Sequence, residues 1–451
     1  MRPRVGLPPA PPPEYGQTQL VVRTGVIVTA VLLTMFFGFW LTKAPCIFQD
    51  WDGKQYGRGL SDGEDPHTYF VLPCYTDILP LWSSDRGGPD GNLIGERLDL
   101  GRIPYIQAPN EYPVLTGMVQ WFAGLPLPKS DADTPAPGQP FFFATALLLG
   151  TAAVGTTILL GRMVGARALY FALAPTLLIY GLMNWDLLAV FLATAGTYYY
   201  IRREHTWAGG LLGLGAATKL YPGLLVVPFA LGRLKEDRPG AIRVAVAAAA
   251  AWLVANLPFA AFGWENWTIF FRFNSDRGAD WDSIWFLISE QITAGGSSFA
   301  WNQTLLNVLT LLTFVAVAVT LWTLKSAREP NFPAWSFGFP LLVVFLLTNK
   351  VYSPQYGLWL LPWFALALPN VRLFIAFSIT DVAVYYTRFR WFAELDPNIG
   401  DGVSFGSFKI ALLARMAVLI WALVVWVRMP TDRRAEDVAP RYARFPVEEM
   451  A

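Results

Sequence analysis

The residues of this chain best placed to do chemistry lie between Cys46 and Asn110, an acidic, aromatic stretch that follows one apolar run and precedes many others. It holds Cys74-Tyr75-Thr76-Asp77-Ile78 and, further on, Pro104-Tyr105, and Glu111-Tyr112-Pro113 follows it directly. A carboxylate held where the first loop of a membrane protein meets the lipid surface can take a proton from a hydroxyl arriving there. Asp77 is the candidate base. Asp50 and Asp52, just after the first apolar run, are the runners-up, and a solvated loop aspartate is the plain alternative. More polar residues recur at intervals: Arg86 and Glu111 in the same stretch, then Asn184 and Asp186, Lys219, Arg272, Arg277, Asp280 and Asp282, and finally Lys350, Tyr352, Gln355 and Tyr356. Ionisable groups at membrane depth are costly unless they pair or act, so their collection at one face points to a site opening outward.

The elements that must position them are membrane helices. Of 451 residues 54% are hydrophobic and 15% charged, against roughly 25% charged in a typical soluble domain. The net charge of +1 gives no electrostatic case for nucleic acid. Apolar segments run over 21–42, 140–161, 166–183, 187–201, 241–263, 301–324, 335–348, 355–369, 371–386 and 409–427, while 206–232 is Gly-rich and broken at Pro222. Arginines and lysines favour the cytoplasmic side. Arg2, Arg4, Arg23, Arg162, Arg167, Arg202, Arg203, the cluster from Arg233 to Arg238, Lys325, Arg328, Arg372 and the tail from Arg428 all satisfy that rule together only if 206–232 makes two short crossings with Lys219 and Tyr221 at the outer turn. The same rule makes 112–128 an interfacial helix with Trp121 and Phe122 at headgroup depth. The expected architecture is all-α and polytopic, with about twelve crossings. Residues 1–19 form a disordered cytoplasmic tail without a cleavage site, 20–428 the transmembrane domain with a large first extracytoplasmic loop at 43–139, and 429–451 a second cytoplasmic tail.

The motifs carry a family likeness. Tyr75-Thr76-Asp77, Pro104-Tyr105 and Tyr112-Pro113-Val114-Leu115 resemble the Asp-containing loop and Tyr-Pro-Pro-Leu segment of glycosyltransferase family 87. The run from Gly209 to Pro222, ending Lys219-Leu220-Tyr221-Pro222, is similar to that family's glycine-rich segment closing in Lys-x-x-Pro, and Asn349-Lys350-Val351-Tyr352-Ser353-Pro354-Gln355-Tyr356 to its late Lys-x-x-Ser-x-Gln-Tyr signature. The likeness spans about residues 70 to 370. Two departures stand out: Met183-Asn184-Trp185-Asp186 replaces the usual Gly-Gln pair, and Val114 follows Pro113 where a second proline is usual. The resemblance implies a GT-C-like membrane fold in the cytoplasmic membrane, both termini inside, with the site on the extracytoplasmic face. It also implies a polyprenyl-phosphate mannose donor and a glycolipid or polysaccharide acceptor.

That chemistry suits the residue types. A sugar on a lipid phosphate already carries a good leaving group, so one base suffices: Asp77 would deprotonate the acceptor hydroxyl, which attacks the anomeric carbon from the face opposite the phosphate and inverts it. Lys350, Lys219 or Arg277 would stabilise the departing phosphate. Tyr75, Tyr105, Glu111, Tyr112, Asn184, Asp186, Asp280, Tyr352, Gln355 and Tyr356 are the candidate substrate contacts. Blander roles compete: Glu111 as a helix-terminal carboxylate, Lys350 and Lys219 as interfacial lysines, Trp281 and Trp285 as an aromatic belt. Cys46 and Cys74, the only cysteines, can form a disulfide in an oxidising compartment or stand as two thiols. No cofactor is expected, and with His67 and His205 on opposite faces no metal cluster is either; a divalent cation at the acidic loop is the alternative reading. Rival readings are an arabinofuranosyltransferase of the same fold, a transporter or flippase, and a non-catalytic scaffold.

Overall fold

The computed structural model describes residues 13–48, 74–78, 103–126, 138–295, 299–395 and 401–439. Among these the chain is helical, with one isolated bridge between Pro104 and Ala108, so the all-α class is as expected. Asp50, Asp52, Arg86 and His67 lie outside the described residues.

Helix α1 (Pro13–Thr42) leads into a short α2 (Ala44–Phe48). It begins ahead of the expected boundary and takes in residues 13–19, which the sequence assigned to the tail. Next come α3 (Val114–Gly124), α4 (Gly138–Val164), and two short pieces, α5 (Leu169–Ala172) and α6 (Pro175–Tyr180). The middle of the chain gives α7 (Asp186–Ile201), α8 (His205–Thr218), α9 (Tyr221–Leu224) and α10 (Val226–Arg233). A long α11 (Arg238–Phe262) turns at Gly263 into α12 (Trp264–Asp276), and α13 (Ile284–Ala294) and α14 (Gln303–Arg328) follow. The last elements are α15 (Gly338–Thr348), a 3-10 turn over Pro354–Leu360, α16 (Leu361–Leu366), α17 (Val371–Leu395) and α18 (Phe405–Arg428). Starts are marked by local chemistry: Asp237, Ser283 and Asn302 each accept a backbone N–H at the first turn of α11, α13 and α14.

Among the described residues, five stretches are long and apolar enough to cross a membrane: Arg23–Thr42, Gln139–Ala172, Arg238–Phe262, Gln303–Arg328 and Phe405–Arg428. Two of them bury only 17% and 11% of their most apolar window, so the rest of their surface calls for a hydrocarbon solvent. The elements from α6 to α10 and from Ala334 to Leu366 are shorter, started or interrupted at Pro175, Pro222, Pro354 and Pro362. Their side chains make the core, with Trp335, Phe339, Leu342, Leu358, Trp359, Trp363 and Phe364 all buried. A segment apolar on every side reads equally as a span or as a core element, and the expectation of about twelve crossings counted both kinds.

The segment 112–128, expected as an interfacial helix, contains α3 (Val114–Gly124). It buries Thr116 and Gln120 and exposes Phe122, an arrangement suited to lipid rather than water outside. Towards the other end of the chain, residues through Ala439 pack on the body: Arg167 pairs with Asp432 at 2.7 Å, and Trp335 donates to Glu436 at 3.2 Å.

Candidate active site

The segment Cys74–Ile78 is fixed through its backbone. Cys74 is buried and disulfide-bonded; the side chain of Cys46, its expected partner, lies outside the described residues. The Thr76 hydroxyl donates to the carbonyls of Leu182 and Met183, and the Asp77 N–H donates to Met183 at 2.8 Å. The turn between α6 and α7 thus serves as the loop's seat. Tyr75 stacks on Phe389 of α17 at 4.8 Å.

On that seat the Asp77 carboxylate is half-buried and held at both oxygens. Tyr75 donates to Oδ1 at 2.6 Å and Asn184 Nδ2 to Oδ2 at 2.7 Å. Asn184 Nδ2 also donates to the Tyr112 hydroxyl at 2.8 Å, while its Oδ1 accepts from the N–H of Trp185. Each carboxylate oxygen offers about two lone-pair sites, so one donor apiece leaves capacity for a proton. Burial and the neighbouring Asp77 raise the Tyr112 phenol well above its ordinary range, so it stays neutral.

Tyr112 joins this carboxylate to a second one. Its ring lies under the Lys219 ammonium at 5.4 Å, and the Tyr356 ring is 5.6 Å from the same group. Lys219 pairs with Asp186 at 3.3 Å, and Trp359 donates to Asp186 at 2.7 Å. An aromatic ladder backs the pair: Tyr356 stacks on Trp359 at 3.9 Å, and Tyr221 on Trp359 at 4.2 Å. Lys219 stands in extended backbone where α8 ends, as the Pro222 break required, and Thr116 of α3 donates to the Thr218 carbonyl beside it at 2.7 Å.

Tyr105 supports the site from behind. Its hydroxyl lies 2.9 Å from the carbonyls of both Tyr112 and Pro113, and its φ of +66° is in the left-handed region, a strain of about 1–3 kcal/mol for a residue with a Cβ. Its own carbonyl occupies the space a side chain at Gly263 would need. Beside Tyr112 a shallow indentation lies between α3, α8, α11 and α12, lined by Tyr105, Val114, Leu220, Trp252 and Phe270 among others, with an enclosed volume of only about 10 Å³.

The remaining candidates gather elsewhere. Lys350 is buried and gives its ammonium to the carbonyls of Ser275 at 2.8 Å and Arg277 at 2.6 Å, the C-terminal end of α12, where a cation meets the helix dipole favourably. Burial lowers its pKa, with Asp276 opposing. Asp280 is raised by burial against the pull of Arg388 and Arg277. Arg277 is partly exposed and reaches Asp280 at 3.4 Å. Glu111 stands two residues before Pro113, the N-cap of α3. Gln355 is buried, and Tyr352 lies under the Arg415 guanidinium at 4.1 Å.

Sequence reasoning passed over four important residues. Asp381 and Arg388 on α17 and Arg415 on α18 form a buried network with Asp282: Arg388 pairs with Asp282, Arg415 with Asp282 at 2.8 Å and with Asp381 at 3.2 Å, and Thr176 donates to Asp381 at 2.8 Å. Charged residues inside apolar segments were the available signal. The fourth, Lys43, closes α1 and donates to the Tyr75 carbonyl at 2.6 Å. Among the described residues no group of three or more His, Cys, Asp or Glu side chains is placed to hold a metal ion.

Residues 136–349 match the model of Glycosyltransferase family 87, which bears out the resemblance over that stretch. Asn184, Asp186 and Lys219 fall within it, and Asp77 precedes it. Among solved structures the chain is similar to ArnT from Cupriavidus metallidurans bound to undecaprenyl phosphate, with 13% identity and a TM-score of 0.40 over 92% of this chain and 77% of that one. No curated protein matches the sequence.

Proposed function

We propose that this membrane protein, whose residues 136–349 match the model of Glycosyltransferase family 87, moves a hexose, mannose in our reading, from a polyprenyl-phosphate donor to an acceptor hydroxyl on the extracytoplasmic side, with inversion, on a GT-C-like fold. The observation that carries this reading is the Asp77 carboxylate, oriented by Tyr75 and Asn184 yet half open. A base that is aimed and still has lone pairs free suits proton abstraction from an incoming hydroxyl.

Lys219, whose ammonium lies over the Tyr112 ring, is our candidate for the donor phosphate. Asp186 and Trp359 hold it, and the stacked Tyr356 offers an apolar face to the sugar. Arg277 is a second phosphate candidate. Lys350, whose ammonium binds the Arg277 carbonyl, then acts by setting where Arg277 stands.

The test is transfer of labelled sugar in membranes, with polyprenyl-phosphate mannose and polyprenyl-phosphate arabinofuranose supplied separately to wild type and to Asp77→Asn. Transfer from the mannose donor that Asp77→Asn abolishes supports the reading. Transfer from the arabinose donor alone replaces the sugar and keeps the base, and full activity of a folded Asp77→Asn protein rejects the base.

A further inference from the structure

Lys43 follows α1 directly, just past the apolar window that ends at Thr42, and it is fully buried. Its ammonium donates to the Tyr75 carbonyl, two residues before Asp77, and lies 5.9 Å from the centre of the Tyr385 ring. Satisfying one carbonyl does not call for a charge. A buried asparagine or glutamine makes that bond without taking an ammonium out of water, which costs several kcal/mol. The charge therefore needs a separate account, and the opposite charge acting on Lys43 is that of Asp77.

We propose that Lys43 is a positioning residue with two separable jobs: its N–H clamps the strand of chain that carries Asp77, and its positive charge offsets the Asp77 carboxylate so that an anionic lipid-phosphate donor can enter beside it. The inference rests on the donor class given under Proposed function. In a site of low dielectric an uncompensated carboxylate repels a phosphate several ångströms away, and a neighbouring ammonium removes most of that repulsion. The charged and titratable groups around Lys43 fit this division. Asp77 and the Tyr75 hydroxyl belong to the clamped segment. From α17 come Tyr385, in contact with Lys43, and Arg388, whose charge acts on Tyr75. Behind Tyr385 stands Tyr180 of α6, 5.3 Å away, which donates to the backbone carbonyl of Asp381.

The two jobs come apart with pH. Burial lowers the Lys43 pKa to about 7, with Asp77 opposing the shift. As pH rises through that value the amine loses its charge but keeps N–H groups to donate to Tyr75, so the clamp persists while the compensation disappears. The donor, a phosphodiester, carries the same single charge throughout.

The experiment measures donor KM from about pH 6 to about pH 8 for wild type, Lys43→Arg and Lys43→Gln, with thermal melting in detergent as the check on folding. Wild type is expected to show a donor KM that rises about tenfold across the range. Lys43→Arg, which stays charged, is expected to show a KM independent of pH, and Lys43→Gln a KM that is high and equally flat. A wild-type donor KM that does not change with pH overturns the inference, as does a folded Lys43→Gln protein that keeps the wild-type KM and its pH response. Where Lys43→Gln does not fold, wild type against Lys43→Arg still decides: a pH response that survives in the arginine variant overturns the inference. Wild type that transfers from no polyprenyl-phosphate sugar overturns the functional reading itself, an outcome distinct from active enzyme with a flat KM.

Discussion

Two polar clusters stand close together in this protein and are built on opposite principles. Around Asp282, Arg388 and Arg415, acidic and basic groups interlock, and Asp282, Asp381 and Arg415 are wholly shut away from solvent. Around Asp77 the partners are neutral, a phenol and an amide, and the carboxylate stays half open. Saturated charges bind helices to one another and have little left to offer a ligand. A carboxylate steered by neutral hydrogen-bond donors keeps lone pairs available. Tyr75 belongs to both neighbourhoods, donating to Asp77 and lying within the field of Arg388, so the rigid cluster backs the reactive one.

The contrast can be broken from either side. Asp77→Asn should reduce turnover by about 10²–10⁴-fold while leaving the melting temperature near wild type, since amide and carboxylate have the same shape; labelled-sugar transfer and a detergent melt measure the two. Arg415→Met should do the reverse, costing about 3–5 kcal/mol of stability by leaving Asp282 and Asp381 short of a buried counter-charge, and chemical denaturation would show it. Asn184→Ala removes a bond to a charged acceptor worth about 1.5–3 kcal/mol, so a fall in kcat of roughly ten- to a hundredfold is expected. Lys350→Met tests which cluster that residue serves. If it holds the end of α12, about 1 kcal/mol of stability is lost with little change in donor KM; a large rise in KM at unchanged stability would assign it to the phosphate instead.

The reactive side was the more legible in sequence. A Tyr-Thr-Asp run bracketed by aromatic motifs, and a glycine-rich helix stopping at Lys219 ahead of Pro222, are local signals, and the structure brings Asp77, Asn184, Tyr112 and Lys219 into one bonded chain. The rigid side was not read. Asp282 and Arg415 lie far apart in the chain, and nothing in either neighbourhood announces the other. Lys43 escaped for a related reason: a lysine closing a membrane helix ordinarily reaches for the headgroups, and only the loop folding back over it reveals burial. The number of crossings could not be read for want of a distinguishing property, since Leu341–Val344 and Leu358–Leu361 are as apolar as any lipid-facing run while being enclosed by protein.

The elbow at Gly263 carries a consequence for interpreting natural sequence variation. A methyl group there would collide with the Tyr105 carbonyl and the Ile106 Cα, both main-chain atoms that cannot step aside as a side chain would. Accommodation means lifting residues 105 and 106, and with them the phenol that anchors 112 and 113. A missense change at position 263, some way along the polypeptide from Asp77, is therefore expected to mimic a change at Asp77 itself, and a genetic screen that ranked alleles by their distance along the gene from Asp77 would misplace it.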